Sequence, residues 1–309
     1  MTTKKPFPKL PAGAILIIIA ASLWAIDGVL RRSVYSLSPL TIVFYEHLIG
    51  AIILLPLFLK QLKTESISKQ SWLNAGFVAL VSGLLGTMWF TTALLKTQFI
   101  SFSVVYLLQK LQPLFAAGSA AIILKERLTP KYLAWASLAL VAAYFVTFPG
   151  GIVRFDTGSG TTITALYALG AAAAWGVSTT VSKRLVSTQS TVVSTGLRFI
   201  LTSIFGLMAV VLIGQMNTLS SISLPQIGTL GIIALSTGMV AIMFYYRGLK
   251  TTQAKVSTIL ELTFPVLAIA IDAVVYKSML QPTQLLAGMV LLYAMYQVGS
   301  LKTSNKKLE

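Results

Sequence analysis

Ionisable side chains lie inside long apolar segments of this 309-residue chain. A charge near the middle of a lipid bilayer costs roughly 2.5–3.5 kcal/mol on insertion scales, so each such residue needs a physical explanation. Groups of this kind can pair with one another, bind a polar solute or exchange protons. The set comprises Asp27, Glu46, His47, Lys110, Arg198, Glu261 and Asp272.

Two acid–base pairs follow from the depths of these residues, if the segments are membrane helices. We expect Glu46 near Lys110 in the outer half of the membrane, and Arg198 near Glu261 in the inner half. The pairs would then flank a central cavity, one toward each face. The alternative is that each pair only holds two helices in register, without touching a solute.

The remaining titratable residues suggest coupling to protons. Asp27 and Asp272 have no basic partner at equal depth, although Arg31 follows one turn after Asp27. Such acids could bind protons or attract a cation, or they could bond to neighbouring hydroxyl groups. His47 titrates near neutral pH in water, but a packing role remains open. The predicted coupling residues are Glu46, His47, Glu261 and Asp272.

Aromatic residues accompany these charges. Trp24 and Trp175 lie too deep in their segments for an interfacial belt, which favours a position on a cavity. An aromatic box beside acids could hold an organic cation or stack a planar solute, whereas helix packing is the plainer alternative. The predicted substrate contacts are Trp24, Asp27, Glu46, Trp89, Tyr106, Gln109, Lys110, Trp175, Arg198, Tyr245 and Glu261; Phe90 and Tyr246 lie on the same segments.

Ten apolar segments must position these residues. Each has about 20 residues, the length that spans a bilayer as a helix. The segments are 12–31, 39–59, 72–95, 100–124, 130–148, 162–182, 190–213, 225–249, 254–276 and 282–301. Ser38-Pro39 and Thr129-Pro130 are typical of a helix N-cap followed by proline at the first helical position.

The second group of five segments repeats the first. Trp24 matches Trp175 at an offset of about 151 residues, and Pro113 matches Pro265. Because five is odd, the second half must enter the membrane in the opposite orientation, as in secondary transporters. We predict an all-α integral membrane protein with ten transmembrane helices in two inverted repeats. The predicted boundaries are 1–154, a linker at 155–161, and 162–309.

The two matching prolines interrupt the hydrogen-bond ladders of the fourth and ninth segments. Pro113 and Pro265 are therefore predicted hinges, although they could also simply fit the helices into the bundle.

Charge and composition fix the environment. The chain is 56% hydrophobic and 10% charged, which excludes ordinary soluble classes. Of 24 Lys and Arg residues, 17 fall on the side of the N-terminus, 5 on the other side and 2 within segments. The positive-inside rule then predicts both termini in the cytoplasm, in a cytoplasmic membrane. The net charge of +16 therefore reports topology and not a nucleic-acid partner. With no cysteine and one histidine, neither a metal site nor a cofactor is expected.

The sequence resembles the EamA-type branch of the drug/metabolite transporter superfamily over nearly its whole length. Trp24, the proline-containing fourth segment and the run Lys125-Glu126-Arg127-Leu128 carry the resemblance. That run is similar to the family's Gly-Glu-Arg-Leu signature, with Lys125 in place of glycine. In the second half, Lys277-Ser278 stands where Gly-Glu is expected. The resemblance implies ten helices, a central cavity and alternating access.

These observations predict a secondary active transporter for a small polar organic solute or metabolite. Four intramembrane acids against two bases favour a cationic or zwitterionic solute or proton coupling, while the aromatic residues favour an aromatic one. The resemblance implies export more often than import, and we expect the energy to come from the proton gradient or from solute exchange. A channel or lipid-handling protein is the alternative, and an enzyme is not expected because His47 stands alone. Besides substrate and lipid, the expected partners are protons and, in a homodimer, a second copy; a monomer is the other option.

Overall fold

A computed structural model describes residues 10–96, 105, 108–152, 161–275 and 281–301, and the described residues are helical or lie in turns and connections. The predicted linker lies mostly outside them. The main helices are α1 (Ala12–Arg32), α2 (Pro39–Leu62), α3 (Lys69–Leu95), α4 (Gln112–Ile123), α5 (Pro130–Thr147), α6 (Thr161–Thr188), α7 (Thr191–Leu212), α8 (Leu224–Thr251), α9 in two pieces (Ala254–Leu260 and Thr263–Val275) and α10 (Pro282–Gly299). A short helix, Asn217–Ser220, lies in the connection between α7 and α8, and a 3-10 turn, Pro149–Gly151, follows α5.

Five of these helices are long and apolar enough to cross a membrane: α1, α2, α3, α7 and α8. The all-helical class is therefore confirmed, while the full set of ten spans stays a prediction. Large apolar side chains such as Ile52, Leu57 and Leu212 are exposed on the outside of the bundle. An apolar outer surface of this kind suits contact with lipid.

Local sequence signals place the helix starts. Ser38 accepts a hydrogen bond from the Thr41 backbone N–H at 3.2 Å, and Pro39 occupies the first helical position of α2. Thr129 caps α5 in the same way, again just before a proline. Both predicted N-caps are confirmed. Each satisfies a backbone donor that the first turn of a helix leaves unpaired.

Matching interruptions occur in the two halves. α3 contains a π-helical segment at Ala79–Gly86, and α8 contains one at Ala234–Val240. A turn at Lys110 and Leu111 precedes α4, and a turn at 261–262 divides α9. Pro113 and Pro265 lie in the first turn after each of these breaks. The predicted interruptions are therefore present, while a hinge function stays a prediction.

The helices pack in pairs that join the first half to the second. α2 packs on α7 and α5 on α10, so that each pair unites corresponding helices. α1 packs on α8, and its counterpart α6 packs on α3. α4 packs against α6, while its counterpart α9 packs against α1. Each contact between two helices is therefore matched by a contact between their counterparts, as expected when two halves are related by an approximate two-fold axis.

Hydrogen bonds between loops fix the directions of the two halves. At one end of the bundle, called end A, Gln226 at the start of α8 donates to Ser36 in the α1–α2 loop at 2.9 Å. At the opposite end, called end B, Gln189 after α6 donates to Ser71 near the start of α3 at 3.1 Å. α1 therefore ends at end A, and its counterpart α6 ends at end B.

The first and last described residues of the bundle also lie at end B. Leu10 lies against Gly299, and Gly13 lies against the end of α8. Corresponding helices run in opposite directions, and the first and last described helices begin and finish on the same side.

Candidate functional site

A cavity of about 200 Å³ lies inside the bundle, between the two halves. Side chains from α1 to α4 and from α6 to α9 line it, together with the turn before α4. α5 and α10 contribute none of its described lining residues and pack on each other outside it. The π segments of α3 and α8, the turn before α4 and the turn within α9 all contribute residues to the wall of this cavity. Irregular backbone inside a membrane protein is tolerated where it lines a cavity of this kind.

Most of the residues predicted from sequence line this cavity. Nine of the eleven predicted substrate contacts do so: Trp24, Asp27, Glu46, Gln109, Lys110, Trp175, Arg198, Tyr245 and Glu261. His47 and Pro113 also line it, whereas Pro265 is buried away from it. Tyr106 and the side chain of Asp272 lie outside the described residues.

Trp89 is not part of the described lining. Its ring packs against Gly170 of α6, and its neighbour Phe90 faces the cavity instead. Adjacent helical residues point about 100° apart, so segment membership alone could not decide between them.

The first charged cluster joins α1, α2 and α8, with Arg31 at its centre. The Arg31 guanidinium donates to Asp27 at 2.7 Å and to Glu46 at 3.0 Å. Thr237, in the π segment of α8, donates to the other oxygen of Asp27 at 2.6 Å. Arg31 is 7% exposed, so this is a buried ionic network and not a loop charge.

This cluster corrects the expected Glu46–Lys110 pair. Glu46 pairs with Arg31, and Asp27 has a basic partner after all. The Lys110 ammonium donates to Gln109 at 3.0 Å and lies 4.3 Å from the centre of the Phe264 ring. Lys110 occupies the turn before α4, so a position extrapolated along a straight helix does not apply to it.

A second polar chain connects the breaks before α4 and within α9. Gln109 donates to Gln112 at 3.3 Å, and Gln112 donates to Glu261 at 2.8 Å. Lys110 attracts Glu261 electrostatically. The two helix interruptions therefore present amide, ammonium and carboxylate groups together on one wall of the cavity.

Arg198 on α7 forms the third polar centre and corrects the expected Arg198–Glu261 pair. Its guanidinium donates to the Ser82 hydroxyl at 2.9 Å and to the Tyr246 hydroxyl at 3.4 Å. Glu261 bonds instead to Gln112. Depth along a helix had suggested the pair, but the rotation of each side chain about its helix axis decides which groups meet.

Ser82 and Thr237 are functional candidates that the sequence analysis missed. Each lies in a π segment and bonds to a charged residue of the cavity, Ser82 to Arg198 and Thr237 to Asp27. The Ser82 carbonyl also accepts a hydrogen bond from the Trp175 indole at 3.2 Å. A sequence signal for Ser82 and Thr237 does exist, because a hydroxyl residue occupies the matching position of the π segment in each half.

Two aromatic pairs line the cavity, and each crosses between the halves. Trp24 lies 5.3 Å from Tyr245, and Trp175 lies 5.1 Å from Phe90, as measured between ring centres. Trp24 corresponds to Trp175 in the repeat, and Phe90 corresponds to Tyr245. The two pairs are therefore counterparts, and they present flat apolar faces beside the polar groups.

His47 is buried beside these groups in a packing position. Its Nδ1 donates to the Val43 carbonyl at 2.8 Å, and its ring lies 4.9 Å from that of Phe199. With Nδ1–H bonded to the backbone of its own helix, His47 matches the packing alternative. Its expected part in proton coupling stays a prediction.

Glu126 lies at end B, away from the cavity, and joins the halves there. Its carboxylate accepts hydrogen bonds from the backbone N–H groups of Ala254 at 2.8 Å and Lys255 at 3.2 Å. It thus caps the first piece of α9, whose N-terminus favours negative charge. The preceding Lys125 has a φ of 56°, in the left-handed region that glycine adopts most readily.

A bundle of apolar helices around a polar, aromatic cavity between two opposed halves is the architecture of a membrane transporter. The model of the EamA-like transporter family matches residues 11–148 and 162–299, which together make up most of the chain. The chain therefore belongs to the EamA-like transporter family and is an integral membrane protein. The resemblance seen in the sequence is confirmed.

Related proteins agree with this assignment. A riboflavin transporter, ImpX, of Fusobacterium nucleatum is 33% identical over 293 residues, which cover 94% of this chain and 98% of that protein. An uncharacterized transporter of Clostridium kluyveri is 24% identical over 300 residues, or 96% and 94% of the two chains. A crystal structure whose description names no activity superposes with a TM-score of 0.74 at 17% identity, covering 94% and 96%, and so shares the fold.

Proposed function

We propose that this protein carries an uncharged, planar heteroaromatic solute of the riboflavin type across the cytoplasmic membrane by alternating access. The observation that carries the proposal is the pair of cross-repeat aromatic contacts in the cavity, Trp24–Tyr245 and Trp175–Phe90. The similarity to a riboflavin transporter over nearly the full length of both chains supports the same substrate class.

The aromatic walls suit a flat ring system. Stacking of a base on an aromatic side chain contributes about 1–3 kcal/mol in nucleic-acid complexes, and a tricyclic ring offers a comparable face. The amide groups of Gln109 and Gln112 line the same cavity and can bond to ring nitrogen and carbonyl groups. Such a combination of apolar walls with a few polar groups is typical of small-molecule sites.

The charges of the cavity favour a neutral solute over a cation. Its described lining residues include three acids and three bases: Asp27, Glu46, Glu261, Arg31, Lys110 and Arg198. The sequence-based preference for a cation rested on four acids against two bases, whereas with Arg31 the described lining residues carry equal numbers of acids and bases. A cation would therefore meet no net attraction, whereas a neutral ring can use the aromatic faces and hydrogen bonds.

Transport across the membrane follows from the two-fold arrangement. We propose ten membrane-crossing helices in two inverted repeats, with end B in the cytoplasm. The lysines and arginines around end B, among them Lys63, Arg184 and Lys250, support this orientation by the positive-inside rule. The carboxyl groups of Glu46 and Glu261 are the sites at which a proton gradient would act on the cavity.

Binding of riboflavin to the purified full-length protein in detergent tests the substrate class. Stacking on tryptophan quenches flavin fluorescence, so titration gives the affinity directly. We expect Trp24→Ala and Trp175→Ala each to weaken binding about tenfold, because each removes one stacking face. Trp135→Ala is the matched control, since Trp135 packs on Tyr293 of α10 outside the cavity. Binding of quaternary amines instead of riboflavin would contradict the proposal.

Flux into proteoliposomes tests the mechanism. A carrier gives saturable uptake that is accelerated by unlabelled riboflavin on the opposite side, whereas a channel gives neither. Uptake and release measured with and without an imposed pH gradient then separate proton coupling from exchange and give the direction of net transport. Flux proportional to concentration at all levels would favour the channel alternative.

A further inference from the structure

Arg198 is a buried cation that has no carboxylate partner among the described residues. It is 9% exposed, and within the described part of the chain no acidic oxygen lies within ion-pair distance of its guanidinium. Glu46 attracts it from further away but is itself bonded to Arg31. A buried charge left in this state is costly, unless another group completes its coordination.

The Arg198 guanidinium makes two hydrogen bonds to neutral side chains. Ser82 and Tyr246 accept from its two terminal nitrogens, while its buried Nε has no hydrogen-bond partner in the described part of the chain. Both acceptors are neutral hydroxyl groups, which orient the guanidinium without neutralising it. Each terminal nitrogen carries a second N–H, and because Arg198 lines the cavity, a bound solute can accept a hydrogen bond from the guanidinium.

The π segment of α3 gives Ser82 a double role. Its hydroxyl accepts a hydrogen bond from the Arg198 guanidinium at 2.9 Å, and its backbone carbonyl accepts one from the Trp175 indole N–H at 3.2 Å. A π segment leaves backbone carbonyls available in this way, because the regular hydrogen-bond ladder is displaced. One residue therefore sets the position of both a charged donor and a stacking face.

We propose that Arg198 recognises the hydrogen-bond acceptor edge of the transported ring, and that Ser82 is its positioning residue. The inference rests on the proposed function, because it assigns part of the same cavity. The acceptor is a ring carbonyl oxygen, as in the pyrimidinedione edge of a flavin. A phosphate is less suitable, since its two negative charges would add to a cavity whose described lining already contains as many acids as bases.

Three planar ligands distinguish these chemistries: riboflavin, its phosphate ester FMN, and proflavine, a tricyclic cation without carbonyl groups. Arg198→Gln should weaken riboflavin binding about tenfold or more, as expected for loss of a charge-assisted hydrogen bond. It should leave proflavine binding equal or stronger, since a buried positive charge is removed. Arg198→Lys should retain part of the riboflavin affinity. Arg184→Gln is the matched control, because Arg184 is exposed at the end of α6.

Ser82→Ala tests the positioning role and keeps the backbone carbonyl that holds Trp175. We expect a fall of about threefold to tenfold in riboflavin affinity, with no change for proflavine. Ser236→Ala is its control, because Ser236 lies in the π segment of α8 and bonds to the Ile232 carbonyl of its own helix. A thermal unfolding curve for each variant shows that it is folded.

The binding of the three ligands distinguishes a ring-carbonyl contact from a phosphate contact and from a general effect on the cavity. If Arg198→Gln lowers riboflavin and proflavine binding equally, Arg198 acts on the cavity as a whole and the inference is overturned. If it affects FMN alone, the acceptor is a phosphate and the ring-carbonyl assignment is wrong. If the unaltered protein binds proflavine but not riboflavin, the proposed function itself fails, which is distinct from failure at Arg198.

Discussion

Arg31 determines the charge balance of the cavity. Located at the end of α1, it has the sequence context of a loop charge, yet it is buried between Asp27 and Glu46. Its presence balances the acids of the cavity and connects α1 to α2. The preference for a neutral solute therefore depends on this single guanidinium.

We predict that Arg31→Gln is the most destabilising single change in this cluster. It leaves the buried carboxylate of Glu46 and the partly buried carboxylate of Asp27 without a cation, a loss of about 3–5 kcal/mol. Glu46→Gln should cost less, because Asp27 still neutralises Arg31, and the double variant Arg31→Gln/Glu46→Gln should recover part of the loss. Thermal unfolding in detergent measures these effects. Rescue by the charge exchange Glu46→Lys with Lys110→Glu would instead restore the pairing inferred from sequence.

Lys125 offers a second prediction at this scale. Its φ of 56° strains a side chain with a Cβ atom, and it stands where the family signature has glycine. Lys125→Gly should raise the free energy of unfolding by about 1 kcal/mol. Lys125→Ala should give no such gain, because alanine keeps the Cβ. Equal stabilisation by both variants would show that the charge of Lys125, and not its backbone, is responsible.

At the level of helices, the sequence predicted the depth of a residue along its helix axis better than the direction in which its side chain points around that axis. Depth and repeat matching brought most predicted residues to the cavity, including Trp24 and Trp175. The expected ion pairs were wrong because Lys110 and Glu261 lie in turns and not on regular helix, and because Glu46 pairs with Arg31. A serine in an apolar helix gives no periodic signal, so Ser82 could not be recognised from its segment alone.

The crossing of α1 and α8 depends on glycine. A Cβ atom on Gly248 would lie 2.6 Å from the Gly13 carbonyl oxygen and 2.8 Å from Ile17. We predict that Gly248→Ala separates these helices and lowers the free energy of unfolding by about 1–3 kcal/mol. Gly231→Ala on the same helix is the control, because nothing lies within 4 Å of its added Cβ. Thermal unfolding of both variants decides the matter, and equal stability would count against close packing here.

For the molecule as a whole, the orientation in the membrane is the main prediction. The chain contains no cysteine, so each single-cysteine variant carries one thiol. Ser36→Cys at end A should react with a membrane-impermeant maleimide on intact cells. Thr64→Cys at end B should react only after the membrane is opened. The reverse pattern would place the termini outside the cytoplasm and contradict the positive-inside assignment.

The packing of the first half on the second has a consequence for folding. Since α1, α2, α3 and α5 each find a major neighbour in the other half, a five-helix half made alone would leave those faces uncovered. Severing the polypeptide between residues 152 and 161 removes none of those neighbours. Two separately synthesised halves would therefore be expected to reassemble with each other, much as two independent subunits of an antiparallel dimer would.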